Sequence, residues 1–314
     1  MGLLVNGAWR EDWYDTKRSG GNFVRPSSGF RKFVTANGSS GFPAASGRYH
    51  LYVAPPCPWC HRTMIFRMLK KLEGVVSMSL VEPLMLEGGW RFRNPDPLTG
   101  ARFMHEVYRR ADPKYTGRAS VPVLWDKTTG RIVSNESAEI IRMFNSEFRD
   151  FTDERTDYYP KHIAAEIDAV NRRVYEGLNN GVYRAGFATT QDAYDTACRA
   201  VFETLDWLEA LLAGRRFLAG DGLTEADWRL FPTLARFDGV YYGHFKCNLR
   251  HVYEYPAIAA YARALYAVPG VAETCDFAAY KLHYYGSHPT INPTGIVPLG
   301  PARDFRNLDE GSAA

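Results

Sequence analysis

The chain has 314 residues, 46% of them hydrophobic, about twice the length of an ordinary single domain, so two separate cores are expected. Thirty-eight Lys and Arg against 35 Asp and Glu leave a net charge of +3 with both signs dispersed, which excludes a basic footprint for nucleic acid. Five cysteines are too few for a secreted disulfide scaffold, and no stretch approaches the roughly 18 apolar residues of a membrane span, so a reducing, cytoplasmic setting without nucleic-acid or membrane partners is expected.

Residues 1–48 carry Gly-Gly and Ser-Ser turn signals around isolated aromatics such as Phe23, Phe30 and Phe33, and read as an irregular arm packed on the body. The β-rich run His50–Ala54 follows, then Pro55-Pro56 and a helical pattern through Ile65, Leu69 and Leu72. Val75–Val81 is the next strand, and the polar stretch from Leu84 to Pro113 has no clear assignment. Val121–Asp126 and Arg131–Ser134 form a hairpin over Lys127–Gly130, and Ser137–Asn145 is a helix. The order strand, helix, strand, connection, hairpin, helix predicts an α/β thioredoxin-like domain over residues 49–150.

Beyond Pro160 the hydrophobic period becomes 3.6: Ile163, Ile167, Val170, Val174 and Leu178 recur on one face, as do Ala197, Val201, Leu205, Leu208 and Leu212. An all-α domain is predicted over residues 160–275, with residues 276–314 as a C-terminal segment packed on the body. Thr224–Asp227 is a capping-box candidate, and Pro232 predicts a bend in the helix that follows.

The chemistry centres on Cys57-Pro58-Trp59-Cys60. Cys57 falls where a helix should begin, and the free N–H groups and positive dipole end there stabilise a thiolate. Pro58 suits the first helical position because it has no N–H to lose. These residues alone leave several readings open: a monothiol nucleophile at Cys57, a dithiol oxidoreductase using Cys57 and Cys60, a buried structural pair, and a zinc site. The zinc reading needs further ligands, yet Cys198, Cys247 and Cys275 are scattered. Ser120-Val121-Pro122 should face the cysteine, and a cis bond before Pro122 would offer the Val121 backbone to an extended peptide. Glu136-Ser137 heads the next helix, with a carboxylate for an amine and an N–H and hydroxyl for a carboxylate, or else serves as a simple cap.

The stretches CPWCHR from Cys57, GGW at Gly88–Trp90, VPVLWDK at Val121–Lys127 and NES at Asn135–Ser137 resemble the glutathionyl-hydroquinone reductases, the Xi-class, omega-like glutathione transferases. Asn179–Gln191, Leu223–Phe231, Arg236–Asn248 and His288–Pro301 are similar to the same family. The resemblance implies a glutathione transferase fold, a thioredoxin-like domain followed by an all-α one. It implies Cys57 as nucleophile and Trp90, Arg118, Val121, Glu136 and Ser137 as the glutathione-binding residues. It also implies Tyr183, Tyr241 and Tyr284 at the hydroquinone ring, where packing is the alternative role for each. Glutathione is then the cosubstrate, with no metal or nicotinamide, and aromatic hydroquinone conjugates and a homodimeric partner are expected. Family members often have Ala where this chain has Cys60, which keeps a glutaredoxin-like dithiol activity or a dehydroascorbate-type thioltransferase in view. Conjugation of glutathione to an electrophile and a non-catalytic binding module are the remaining alternatives.

Overall fold

The computed structural model describes residues 2–307; the end of the predicted C-terminal segment, 308–314, lies outside the described residues. The chain forms two compact units, one of Met1–Trp13 and Pro26–Asp157, the other of Tyr14–Arg25 and Tyr158–Ala314. The predicted arm of residues 1–48 is therefore divided: its stretch 14–25 belongs with the helical residues, and the rest with the sheet.

The first unit opens with a hairpin, β1 (Leu3–Val5) and β2 (Ala8–Arg10), paired antiparallel. Asn6 and Gly7 turn it with φ of 49° and 76°, the left-handed pair that a two-residue hairpin turn requires. The arm is thus less irregular than its turn signals predict.

Four further strands build the sheet: β3 (Tyr49–Val53), β4 (Ser77–Leu80), β5 (Val123–Asp126) and β6 (Arg131–Ser134), in the order β4-β3-β5-β6. β4 runs parallel to β3, and β5 antiparallel to both β3 and β6. Every residue of β3 and β5 is buried, as central strands covered on both faces must be. Helix α1 (Pro58–Leu69) links β3 to β4. In the unassigned stretch α2 (Met104–Ala111) forms, held at its start by the Glu106 carboxylate, which accepts from Phe103 N at 3.0 Å. Helix α3 (Ser137–Ser146) follows β6 and packs on α1.

The second unit is helical: α4 (Ala164–Val174), α5 (Gly181–Gly186), α6 (Gln191–Ala213), α7 (Glu225–Arg236), α8 (Pro256–Tyr266) and α9 (Phe277–Ser287). The capping box forms: Asp227 Oδ2 accepts from Thr224 N at 2.7 Å, while Thr224 Oγ1 accepts from Ala226 N at 3.3 Å. Pro232 lies inside α7. Two π-turns interrupt the helical period, Tyr175–Asn179 after α4 and Phe237–Tyr241 after α7. Close packing fixes the first of them, because a Cβ at Gly177 would fall 2.0 Å from Thr204 Oγ1 on α6. After α9 the chain stays on this unit: Lys281 Nζ donates to Leu299 O at 2.8 Å, Asn292 Nδ2 to Tyr285 O at 2.7 Å, and Phe305 is buried among Phe231, Tyr266 and Phe277.

Candidate active site

In the first unit β3 ends at Val53, and a turn through Pro55-Pro56 delivers Cys57 to the N-cap of α1 with extended backbone angles, φ −74° and ψ 120°. Pro58 is the first helical residue, so no N–H is lost there. Cys57 Sγ accepts from Cys60 N at 3.4 Å and its thiol faces Val121 O at 3.6 Å. A sulfur in that place sits at the positive end of the helix, where negative charge is favoured.

The two cysteines of the motif differ. Cys57 keeps 7% of its surface and Cys60 none. Cys60 Sγ is turned inward to Ala54 N, from which it accepts at 3.4 Å. The other three thiols are poor nucleophiles: burial pushes Cys198, Cys247 and Cys275 above their ordinary value.

The Val121–Pro122 peptide bond is cis. The loop before it is held by the buried Tyr108 of α2, whose hydroxyl donates to Ser120 O at 2.8 Å and accepts from Asn135 Nδ2 at 3.0 Å. Asn135 also takes Phe30 N on its Oδ1 at 3.0 Å, so the first residue of the NES motif fastens the arm as well as the loop. Glu136 is the N-cap of α3: Oε1 accepts from Ala138 N at 3.2 Å and Oε2 from Ser28 Oγ at 3.0 Å. Ser137, buried, is the first residue of α3. Val121 and Trp90 are nearly buried, and Trp90 O accepts from Met104 N at 2.9 Å. Arg118 reaches Gly2 O at 3.1 Å and Asp12 O at 2.5 Å through Nη1; in this structure it clasps the chain on either side of the β1–β2 hairpin.

The second unit brings the three predicted tyrosines together. Tyr183 comes from α5, Tyr241 from the π-turn after α7, and Tyr284 from α9. The Tyr284 hydroxyl shares hydrogen bonds with those of Tyr183 at 2.5 Å and Tyr241 at 3.2 Å. Phe245 stacks on Tyr241 with ring centroids 5.5 Å apart, and it fits because Gly186 has no Cβ, which would lie 2.1 Å from that ring. Burial, then the neighbouring Tyr183 and Tyr241, push the Tyr284 hydroxyl well above its ordinary value, while Arg236 opposes them. Tyr284 therefore keeps its proton at neutral pH.

Sequence reasoning missed the groups around this cluster. The guanidinium of Arg25 lies 4.7 Å from the Tyr183 ring centroid, held by Nε to Asn180 Oδ1 at 2.8 Å. His244 Nε2 and His288 Nδ1 face each other at 3.0 Å, and burial drives both down, His244 to about 3, so both are neutral imidazoles. Both histidines lie inside the motifs quoted for the family resemblance, which was the available clue.

Family models match both units: "Glutathione S-transferase, N-terminal domain" over residues 56–147 and "Glutathione S-transferase, C-terminal domain" over residues 191–264. The chain is 54% identical to the glutathionyl-hydroquinone reductase PcpF of Sphingobium chlorophenolicum, over 98% of this chain and 99% of that one. The chain belongs to the glutathionyl-hydroquinone reductase family, the Xi class of the glutathione S-transferases. Its similarity to the family member YqjG of Escherichia coli (strain K12) is 50% identity over 99% and 97% of the two chains. The glutathione-bound structure of YqjG superposes with a TM-score of 0.89, covering 97% of each chain, and the Xi transferase of Phanerochaete chrysosporium with 0.87, covering 90% of this chain and 98% of that one. The predicted fold class is therefore borne out, a glutathione transferase fold whose α/β unit precedes an all-α one. Among the described residues no group of His, Cys, Asp and Glu could hold a metal ion, and no helix is long and apolar enough to cross a membrane.

Proposed function

We propose that this family member reduces glutathionyl-hydroquinones to hydroquinones with glutathione as reductant and Cys57 as nucleophile. The observation that carries the reading is the N-cap sulfur of Cys57 beside the Val121 carbonyl; the named activity of PcpF and YqjG supports it. Trp90, Arg118, Val121, Glu136 and Ser137 are assigned to glutathione. An extended tripeptide pairs its cysteinyl backbone with Val121 and sets its γ-glutamyl end at Glu136 and Ser137.

The substrate is an aryl thioether, and displacement at its sulfur with an aryl carbanion leaving is prohibitively costly. The ring therefore first takes a keto form in which a hydroxyl proton has moved to the sulfur-bearing carbon. Cys57 thiolate attacks the glutathionyl sulfur; the carbon–sulfur bond breaks and its electron pair passes into the ring as an enolate. A tyrosine hydroxyl gives that enolate oxygen its proton. A second glutathione thiolate attacks the glutathionyl sulfur of the Cys57 mixed disulfide, releasing oxidised glutathione and the Cys57 thiolate. The family resemblance implies Tyr183, Tyr241 and Tyr284 at the ring, and the hydrogen bonds that Tyr284 shares with the other two support that assignment.

Treating a synthetic glutathionyl-hydroquinone with glutathione and enzyme should yield free hydroquinone and one equivalent of oxidised glutathione. Accumulation of new conjugate instead would point to a transferase that couples glutathione to electrophiles. A homodimer in a reducing, cytoplasmic setting belongs to the same reading, and light scattering during size exclusion tests the dimer.

A further inference from the structure

One charged side chain beside the tyrosine cluster has no part in the steps above. Arg236, the last residue of α7, is fully buried. Its guanidinium covers the ring of Tyr280 at 3.6 Å from the centroid, and Nη1 donates to Pro232 O at 2.8 Å. Tyr280 and Tyr284 are four residues apart on α9, hence one above the other on a single face of that helix. Tyr241 is reached from Arg236 through the π-turn, closed by Tyr242 N to Phe237 O at 2.8 Å. The widened turn carries the fifth residue on, rather than the fourth, back over the end of α7. Helix α9 thus packs on the guanidinium through Tyr280, and the π-turn that carries Tyr241 starts at the residue after Arg236. Tyr241 and Tyr284 are as inaccessible as Arg236 itself, so little water screens the charge from their hydroxyls.

We propose that Arg236 is the fixed positive charge that enables the Tyr183–Tyr241–Tyr284 cluster to release a proton to the departing ring. This rests on the assignment of those tyrosines to the ring. When the enolate oxygen takes a proton from the cluster, a tyrosinate is left in a dry pocket, where an unbalanced anion is costly. Arg236 balances it until solvent returns the proton. Burial disfavours the cation, whereas Tyr280, Tyr241, Tyr284 and Tyr183 are the neighbours that favour it, and Arg236 in turn draws the Tyr284 hydroxyl downward. Arg236 touches no reacting atom in this account; it is a positioning residue acting through the tyrosines.

Arg236→Met and Arg236→Lys, assayed on hydroquinone conjugates and on a small mixed disulfide of glutathione, separate this role from simple packing. Disulfide exchange moves no proton to a ring and should proceed normally in both. Arg236→Met should lower kcat for hydroquinone release by about 100-fold, the scale of losing one preorganised electrostatic group, at an unchanged KM for glutathione. Arg236→Lys should recover much of that loss. Electron-withdrawing ring substituents stabilise the enolate themselves, so the Arg236→Met defect should shrink along a series of increasingly chlorinated rings. Should Arg236→Met fail to fold, the same trend must appear on a smaller scale in Arg236→Lys, whose charge is displaced. Wild-type release in folded Arg236→Met overturns the proposal, as does a defect shared equally by disulfide exchange or independent of the ring substituents. Failure of the underlying assignment looks different: Tyr284→Phe would then release hydroquinone normally, whatever Arg236 does.

Discussion

Exchanging the two cysteines of the motif in turn should give opposite outcomes, because one is placed for chemistry and the other for packing. Cys57 is an N-cap, and serine is a favoured residue there, so Cys57→Ser should keep stability within about 0.5 kcal/mol while turnover falls to background. Cys60 has no exposed surface and takes the Ala54 N–H on its sulfur. Cys60→Ala leaves that N–H without an acceptor, at about 1–3 kcal/mol, and opens a one-atom cavity worth about 1 kcal/mol more. A loss of roughly 2–4 kcal/mol lowers the melting temperature by several degrees in a chain of this size. Activity should survive, because a second glutathione resolves the mixed disulfide without help from Cys60. Calorimetry gives the stabilities, hydroquinone release gives the rates, and intact mass after one turnover should show Cys57 carrying glutathione. Folded Cys60→Ala with turnover as low as that of Cys57→Ser would refute the reasoning and restore the dithiol oxidoreductase.

Tyr284→Phe removes the hydroxyl shared by the other two tyrosines, and should slow hydroquinone release about 100-fold or more while disulfide exchange continues; equal loss in both assays would deny it a role at the ring. Glu136→Gln should raise the glutathione KM about tenfold or more through loss of a charge-assisted bond to the ligand amine, and an unchanged KM would leave Glu136 as a helix cap alone. Burial holds His50 at about 4 and His244 at about 3, against 6.5 ordinarily. The unfolded chain then binds more protons below pH 6.5, so stability present above that pH is lost as pH falls toward 4, by about 2 kcal/mol per histidine at pH 5. Denaturant titrations at pH 7 and pH 5 measure this, and His50→Gln should flatten the difference; an equal slope in the variant would count against it.

Where a segment's own pattern agrees with its final surroundings, the sequence is readable. Arg131–Ser134 and the helix from Ser137 appear almost as their residues predict, since a β-branched pair after a tight turn and a polar cap before an apolar helical face leave little choice. The N-terminal hairpin goes unread, although Asn6-Gly7 is a hairpin-turn pair, because its strands have only three residues each and a turn-rich stretch follows them. Helix α2 escapes because it is mostly polar: only Met104, Val107 and Tyr108 are buried, and the role of Tyr108 depends on Ser120 and Asn135, its partners from distant parts of the chain. The thiol at a helix start could be read from Cys57-Pro58 alone, whereas choosing between Cys57 and Cys60 needs the inward bond from Ala54. Tyr183, Tyr241 and Tyr284 have no local pattern that marks them, and only resemblance to a family singled them out.

The π-turns explain why periodicity could not have found the cluster. The stripe Ile167, Val170, Val174, Leu178 keeps a buried face to the end of the first π-turn, and there the extra residue rotates everything that follows. Tyr183 lies just after that shift, and Tyr241 ends the second one. A π-turn weakens the local hydrogen-bond ladder, so it persists only where surrounding contacts over-determine it. Here Thr204 packed against Gly177 and the Asn179 Nδ2 bond to Thr233 Oγ1 at 2.8 Å hold the first. Val252 N, donating to Asp238 Oδ1 at 2.7 Å, holds the second. All three anchors, Thr204, Thr233 and Val252, lie outside the turns they secure. The same rotations that hide the tyrosines from a helical-period search are what set the hydroxyls of Tyr183 and Tyr241, from separate elements, within hydrogen-bonding reach of the Tyr284 hydroxyl.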